Sequence, residues 1–267
     1  MLVTPHSSSE SSIHPTAVIE AGAKLGSRVR VGPYCMVGAD VTLEDDVRLD
    51  SHVVVRGCTR IGARTRVWPY ASIGTAPQDL KYRGEPTFLE IGTDNMLREY
   101  CNLSVGTEGG GNVTRVGSHN LLMVGVHIAH DCLVGDHTIL ANSVSLAGHV
   151  EVDHRAVIGG HSAIHQFVKI GSCAMVGGGS ILVQDTPPYV TVQGNHARAA
   201  GLNVVGLKRA GYSVEQLREI KQYYKWTYQS ELRLEQAVQE ILRTAQFLDL
   251  AKPFVDFLAR STRGICR

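Results

Sequence analysis

The sequence predicts a mainly β chain, a parallel β-helix followed by a small α-helical C-terminal region. Three observations carry this. Every sixth residue from Ile13 to Ile73, and again from Val116 to Leu182, is Ile, Leu or Val. Four places after these positions sits something small or β-branched, as at Ala17, Val29, Val47, Val126, Ser162 and Ala174. Beyond Pro187-Pro188 the rhythm stops and helical spacing replaces it.

A period of six fits neither an amphipathic helix at 3.6 residues nor a half-buried strand at 2. It fits a short strand plus a tight turn, with three such segments closing one 18-residue coil. The aliphatic residue and the small one then point inward and meet their counterparts in the next coil. Strands pair with those above and below, which satisfies their backbone groups along the stack. Glycine often follows the aliphatic residue, as at Gly26 and Gly135, and the 28 glycines are expected to serve these turns. Only 6% of residues are aromatic, in keeping with an interior too narrow for rings.

Two polar excursions interrupt the hexads, near 75–88 (Thr75 to Phe88) and near 105–115 (Val105 to Arg115). Loops outside a solenoid are frequent carriers of function. Asp79 and Lys81 make the first the better candidate. The β-helix is expected to span residues 1–190 and the helical part 191–267. In the latter, Ser213-Val-Glu-Gln216 reads as a capping box opening a helix to about Tyr228. Leu234, Val238, Ile241 and Leu242 share one helical face, and a last helix is expected to start near Pro253.

Composition excludes several functions. The 267 residues contain no apolar run long enough to span a membrane, and Met1 to Ser12 lacks the apolar core of a signal peptide. A net charge of +1 argues against a globally basic nucleic-acid binder. That charge hides a split: residues 188–267 hold 12 Lys/Arg against 7 Asp/Glu, and residues 1–187 hold 14 against 18. A basic C-terminal third suits an acidic partner or phosphate groups. The six cysteines form no CxxC pair, and Cys35, Cys101 and Cys132 occupy small inward positions. They read as core residues of a reducing, cytoplasmic protein rather than a disulfide or zinc framework.

Eight of the twelve histidines lie between His119 and His165. On an 18-residue coil His149 stands one turn above Asp131, and His165 falls one residue short of two turns above His130. His130, His149 and His165 are thus expected to climb one corner, with His127 beside the lowest. Such a stack suits two chemistries. One is a metal site of γ-class carbonic-anhydrase type, for which His127-x2-His130 and His161-x3-His165 have tolerable spacing. The other is general base catalysis by a neutral imidazole oriented by a carboxylate. No G-x-S-x-G elbow is present and Cys132 is inward, which disfavours a covalent acyl-enzyme.

Longer strings carry a resemblance. Leu121-Leu-Met-Val-Gly-Val-His-Ile-Ala-His-Asp131, Leu146-Ala-Gly-His149, Ile164-His-Gln-Phe167 and Gln193-Gly-Asn-His196 resemble the UDP-N-acetylglucosamine acyltransferases of lipid A biosynthesis. So do Gln78-Asp-Leu-Lys-Tyr82, Gly84-Glu-Pro-Thr87, Gly206-Leu-Lys-Arg209 and Ala259-Arg-Ser-Thr-Arg-Gly264. The resemblance covers almost the full length. It implies a left-handed helix, where the general rule for parallel crossovers would favour the right hand. It also implies a homotrimer with sites between subunits and transfer of a 3-hydroxyacyl chain from acyl carrier protein to the sugar 3-hydroxyl, with no cofactor or metal.

Carried over, His130 is the general base, Asp131 its orienting carboxylate and the Gly148 N–H an oxyanion donor. Asp79, Lys81, His127, His149, His165 and Gln166 would contact sugar and phosphates, and Asn203 and Arg209 the nucleotide. Met175 and Gly178 correspond to the acyl-chain ruler, where Gly favours a longer chain. The basic helices would dock the carrier protein. Leu103-Ser-Val-Gly-Thr107 departs from the family's Ile-His-Arg-Gly-Thr, Val205 replaces an acidic residue and Ala210 an Arg. A 3-amino sugar nucleotide therefore stays open as acceptor.

Overall fold

A six-residue segment joins such a stack only if it turns a corner after about two residues of strand. The computed structural model, which describes residues 11–267, shows how. The first ten residues of the expected β-helix lie outside the described residues. Three places after the aliphatic position the chain takes a positive φ, between 55° and 65° at Arg28, Tyr34, Asp46, His52, Tyr70 and His149. This left-handed conformation costs an L residue roughly 1–2 kcal/mol and is worst for a branched Cβ. Accordingly, among the described residues, no Val, Ile or Thr takes a positive φ. The following residue points inward and is small, as at Val29, Cys35, Val47, Ala71 and Val150, all buried.

Glycine has a different task from the one expected. Most corners are held by Arg, Tyr, Asp or His, whereas Gly62 and Gly92 follow the aliphatic residue. A Cβ on Gly62 would lie 2.5 Å from the Gly92 carbonyl carbon, and one on Gly92 2.7 Å from the Gly117 oxygen. Close approach of successive coils, rather than the turn, excludes a side chain there.

The chain divides into two compact units, Met1–Cys132 and Leu133–Arg267. In the described part of the first, three faces are built from parallel strands. One runs Ser12–Ile13, Arg30–Val31, Arg48–Leu49, Arg66–Val67, Met96–Leu97 and Leu121–Leu122. A second runs Val18–Ile19, Met36–Val37, Val54–Val55, Ser72–Thr75, Asn102–Ser104 and His127–Ile128. The third runs Lys24–Leu25, Thr42–Leu43, Cys58–Ile61, Phe88–Ile91 and Val113–Val116. Register places each aliphatic residue against the next, for example Val67 against Leu97, and Leu43, Ile61, Ile73, Leu97 and Leu122 are fully buried. The excursions leave this unit between Thr75 and Phe88 and between Ser104 and Val113. The second is shorter than expected, because Val113–Arg115 belongs to a strand.

Corners repeat one coil apart, so their outward side chains form rows. Arg28 pairs with Asp46 at 2.6 Å and Arg64 with Asp94 at 2.6 Å. Arg28 and Arg64 hold the carboxyls of Asp46 and Asp94 below the usual carboxylate range. On another corner Tyr34, His52, Tyr70 and Tyr100 stack with centroids 5.0, 5.1 and 5.2 Å apart.

The second unit continues the same rule on three faces through Ile181–Leu182. A strand at Val190–Gly194 pairs parallel with Met175–Val176 and then antiparallel with Ala197–Leu202. Helices follow: α1 (Val204–Arg209), α2 (Val214–Tyr228), α3 (Leu234–Thr244) and α4 (Leu248–Arg260). The capping box at α2 is present, with Gln216 N donating to Ser213 Oγ at 3.2 Å and Ser213 N to Gln216 Oε1 at 2.8 Å. The last helix starts five residues before Pro253, which lies inside it. Burial of Leu250, Ala251, Phe254 and Leu258 with Tyr189, Tyr223 and Ile241 outweighs the lost backbone donor. On α3, Ile241 is buried but Leu242 is exposed.

The tail is fastened by Asp185, fully buried, which accepts from Lys169 N at 2.8 Å and Ser261 Oγ at 2.7 Å. Arg260 adds bonds to Glu151 and Asp153 at 3.0 and 2.7 Å. Among the described residues no helix is long and apolar enough to cross a membrane. Cys35, Cys101, Cys132, Cys173 and Cys266 are buried free thiols. Burial pushes the Cys101 thiol up to about 12, so it is no nucleophile at neutral pH.

Coil-on-coil packing makes each inward aliphatic residue expensive to truncate. Leu97→Ala is expected to lower unfolding free energy by roughly 2–5 kcal/mol. Leu80→Ala, at a side chain 95% exposed, is expected to change little. Urea denaturation of both variants checks the contrast.

Candidate active site

The last coil of the first unit sets the central geometry. The strand His127–Ile128 buries Ile128, and the chain then turns its corner at Asp131, φ 60°. Asp tolerates this conformation well, and the turn folds its carboxylate back into the protein. The Asp131 side chain is fully buried and that of His130 is 16% exposed. His130 Nδ1 lies 2.7 Å from Asp131 Oδ2. Burying a carboxylate is costly without donors. Here Thr107 N donates to Oδ1 at 2.8 Å and Thr107 Oγ1 to Oδ2 at 2.6 Å. Asp131 N in turn donates to Thr114 Oγ1 at 2.8 Å. A carboxyl oxygen accepting at Nδ1 fixes the tautomer with the proton on Nδ1, which directs the Nε2 lone pair away from it.

His127 is half-buried, with Nδ1 2.8 Å from Asn102 Oδ1. The carbonyl oxygen accepts, so Nδ1 carries the proton. Desolvation pushes this imidazole below its usual pKa, with the nearby His130 acting in the same direction. In the first excursion Asp79 is half-buried, and its Oδ1 accepts from Lys81 N at 2.9 Å, an Asx turn. Lys81 is exposed. The loop orders itself further through Tyr82 OH to Glu85 O at 3.1 Å and Arg83 N to Glu85 Oε2 at 2.7 Å.

In the second unit Gly148 is buried, and its carbonyl accepts from Phe167 N at 3.2 Å. His149 is half-buried and stacks on Phe167, centroids 4.4 Å apart and planes 7° from parallel. This corrects the expected row of histidines. Leu146 pairs with Ile164, so a full coil above His149 falls on Phe167, not His165. His165 is two residues short of that corner, exposed, with Nδ1 3.1 Å from Gln166 O. Gln166 is exposed.

Met175 is half-buried in its strand and Gly178 exposed. A Cβ on Gly178 would meet only Gly160 backbone, at 3.3 Å from its oxygen, so the space beyond is open. Asn203 caps α1: Oδ1 accepts from Gly206 N at 3.0 Å and Nδ2 donates to Cys173 O at 2.9 Å. Its amide already anchors the helix, leaving one donor and one lone pair for any ligand. Arg209 is exposed in the last turn of α1.

Sequence reasoning missed Thr107, Asn102 and Phe167. An 18-residue count from His149 finds Phe167; nothing in the hexad pattern points to Thr107, which lies in an excursion.

A solved structure of LpxA from Acinetobacter baumannii superimposes with a TM-score of 0.92 at 46% identity, over 96% of this chain and 99% of that one. The chain belongs to the UDP-N-acetylglucosamine O-acyltransferase family. The family model described as UDP N-acetylglucosamine O-acyltransferase, domain 2, matches residues 185–266. The enzyme of this family from Moraxella catarrhalis RH4 is 41% identical over 96% and 99% of the two chains, TM-score 0.92. The Arabidopsis UDP-N-acetylglucosamine acyltransferase is 32% identical over 96% and 100%, TM-score 0.83. Membership decides for acyl transfer over carbon dioxide hydration as the class of chemistry. Two of the positions that depart from the family motif, Ser104 and Val105, are buried.

The depressed imidazole of His127 gives a signed expectation. The unfolded side chain takes its proton at about pH 6.5, whereas the folded one resists until lower pH. Its contribution to stability is therefore complete above that value and lost as pH falls below it. The stability difference between the wild type and His127→Gln should shrink between pH 7.5 and 5.5, measured by urea titration. A pH-independent difference would contradict this.

Proposed function

We propose that this acyltransferase moves a 3-hydroxyacyl chain from acyl carrier protein to the 3-hydroxyl of UDP-N-acetylglucosamine, the first step of lipid A biosynthesis, with His130 as general base. The contact that carries the reading is His130 Nδ1 to Asp131 Oδ2 at 2.7 Å, on a carboxylate secured at both oxygens. Its Nε2 accepts the proton of the sugar hydroxyl as that oxygen attacks the thioester carbonyl carbon. A C–O bond forms and the carbonyl oxygen gathers charge. Collapse then breaks the C–S bond, and the imidazolium returns its proton to the leaving thiolate of the carrier. Direct attack suits a protein whose core thiols, such as Cys101, are buried away from the His130–Asp131 pair and remain protonated.

The remaining roles rest on the resemblance rather than on distances. The Gly148 N–H serves the oxyanion. Asp79, Lys81, His127, His149, His165 and Gln166 hold sugar and phosphates, and Asn203 and Arg209 the nucleotide, Arg209 as a forked phosphate donor. The working form is a homotrimer in the cytoplasm with sites between subunits, and the basic helices receive the acidic carrier protein.

The test is an acyl-transfer assay with a panel of 3-hydroxyacyl carrier proteins on UDP-N-acetylglucosamine and on its 3-amino analogue. Turnover of the hydroxyl acceptor is expected, falling roughly 10²–10⁴-fold in His130→Ala. Turnover of the amino acceptor alone would change the acceptor, and an active His130→Ala would remove the base. Gly178→Leu fills the open space beside Gly178, so the same panel should show its preference moving to shorter acyl chains. An unchanged preference would remove Gly178 from the ruler.

A further inference from the structure

We propose that the second excursion acts as a clamp on Asp131, with Thr107 as a positioning residue for acyl transfer; this rests on the reading of His130 as base. The hexads give no reason for this loop, which replaces a regular corner between Ser104 and Val113. Its geometry supplies one. Every polar group of Thr107 is engaged. Its N–H and hydroxyl donate to the two Asp131 oxygens, at 2.8 and 2.6 Å. Its carbonyl accepts from Gly110 N at 3.0 Å and Asn112 N at 2.9 Å. The residues before it are fixed to the stems of the first excursion. Val105 N donates to Thr75 O at 3.0 Å, Gly106 N to Phe88 O at 3.0 Å, and Thr87 Oγ1 to Gly106 O at 2.6 Å.

The short 3₁₀ turn Glu108–Gly110 then passes directly over the carboxylate. A Cβ on Gly110 would lie 2.1 Å from Asp131 Oδ2, so only glycine lets the backbone come this near. Gly111, at φ 98°, turns the chain back toward the strand. Oδ2 is the oxygen that both the Thr107 hydroxyl and His130 Nδ1 approach. Two donors converging on one oxygen leave the carboxylate a single rotamer, which fixes the plane of the imidazole. Thr107 therefore acts through Asp131.

The decisive variants are Thr107→Val, which keeps shape and N–H but removes the hydroxyl, Thr107→Ser, which restores it, and Gly110→Ala. Each is assayed beside His130→Ala, with thermal unfolding to check folding. Thr107→Val should lower kcat roughly 10–100-fold, the cost of a misplaced reacting group. Its KM for the sugar nucleotide should stay within about twofold, the signature of an interaction that matters only in the transition state. Thr107→Ser should recover most of kcat, and Gly110→Ala should lose it while still unfolding in one cooperative transition at a lowered Tm. Thr107→Val with wild-type kcat, beside an inactive His130→Ala, would overturn the clamp and leave the base intact. An active His130→Ala would instead overturn the reading beneath it. Should Thr107→Val fail to fold, Gly110→Ala and Thr107→Ser decide by the same kcat comparison.

Discussion

Six residues must leave the chain rotated by one face and ready to pair with a segment 18 residues away. The left-handed corner is what makes this possible, and most of the molecule's features follow from it. A single residue near φ 60° brings the next side chain inward, so the small position is set by the corner rather than by the strand. The price is about a kcal/mol at each corner in a conformation L residues resist. It is offset by backbone hydrogen bonds to the neighbouring coil and by burial of two side chains per segment.

The same constraint accounts for the histidines. Five of the twelve, His52, His119, His137, His149 and His161, occupy positive-φ corners. Histidine, like Asn and Asp, tolerates this conformation better than most residues. Much of the excess that reads as a catalytic stack is therefore corner chemistry. His127 and His130 are different: neither is at a corner, and both are held by side chains chosen for the purpose, Asn102 and Asp131. Asp131 is the case where corner and site coincide, because the turn that closes the coil also aims its carboxylate at Nδ1.

What was legible in the sequence was whatever the period of six controls. The parallel stack, the inward aliphatic rows, the buried Cys35, Cys101 and Cys132 and the capping box at Ser213 follow from local pattern. The pairing of His130 with Asp131 was also accessible, since neighbours in sequence remain neighbours in space. Contacts that bridge different coils through an excursion were not. Thr107 reaches Asp131 across 24 residues by a loop outside the repeat. Pro253 misled in the opposite direction: its preference for a first helical turn gave way to the packing of Phe254 and Leu258. Glycine misled too, because close approach of coils and freedom at a turn leave the same letter in the sequence.

The corner also governs how such a chain can change length over evolutionary time. Inserting or deleting one residue inside a hexad would swing every later side chain out of its row, interior and exterior alike. Whole coils of 18 residues, or detours that leave and rejoin the stack at the same two stems, conserve the phase. The stretches between Thr75 and Phe88 and between Ser104 and Val113 are detours of this second kind. Novelty in this architecture therefore enters sideways, at fixed gates, while the repeat itself is transmitted almost as a reading frame.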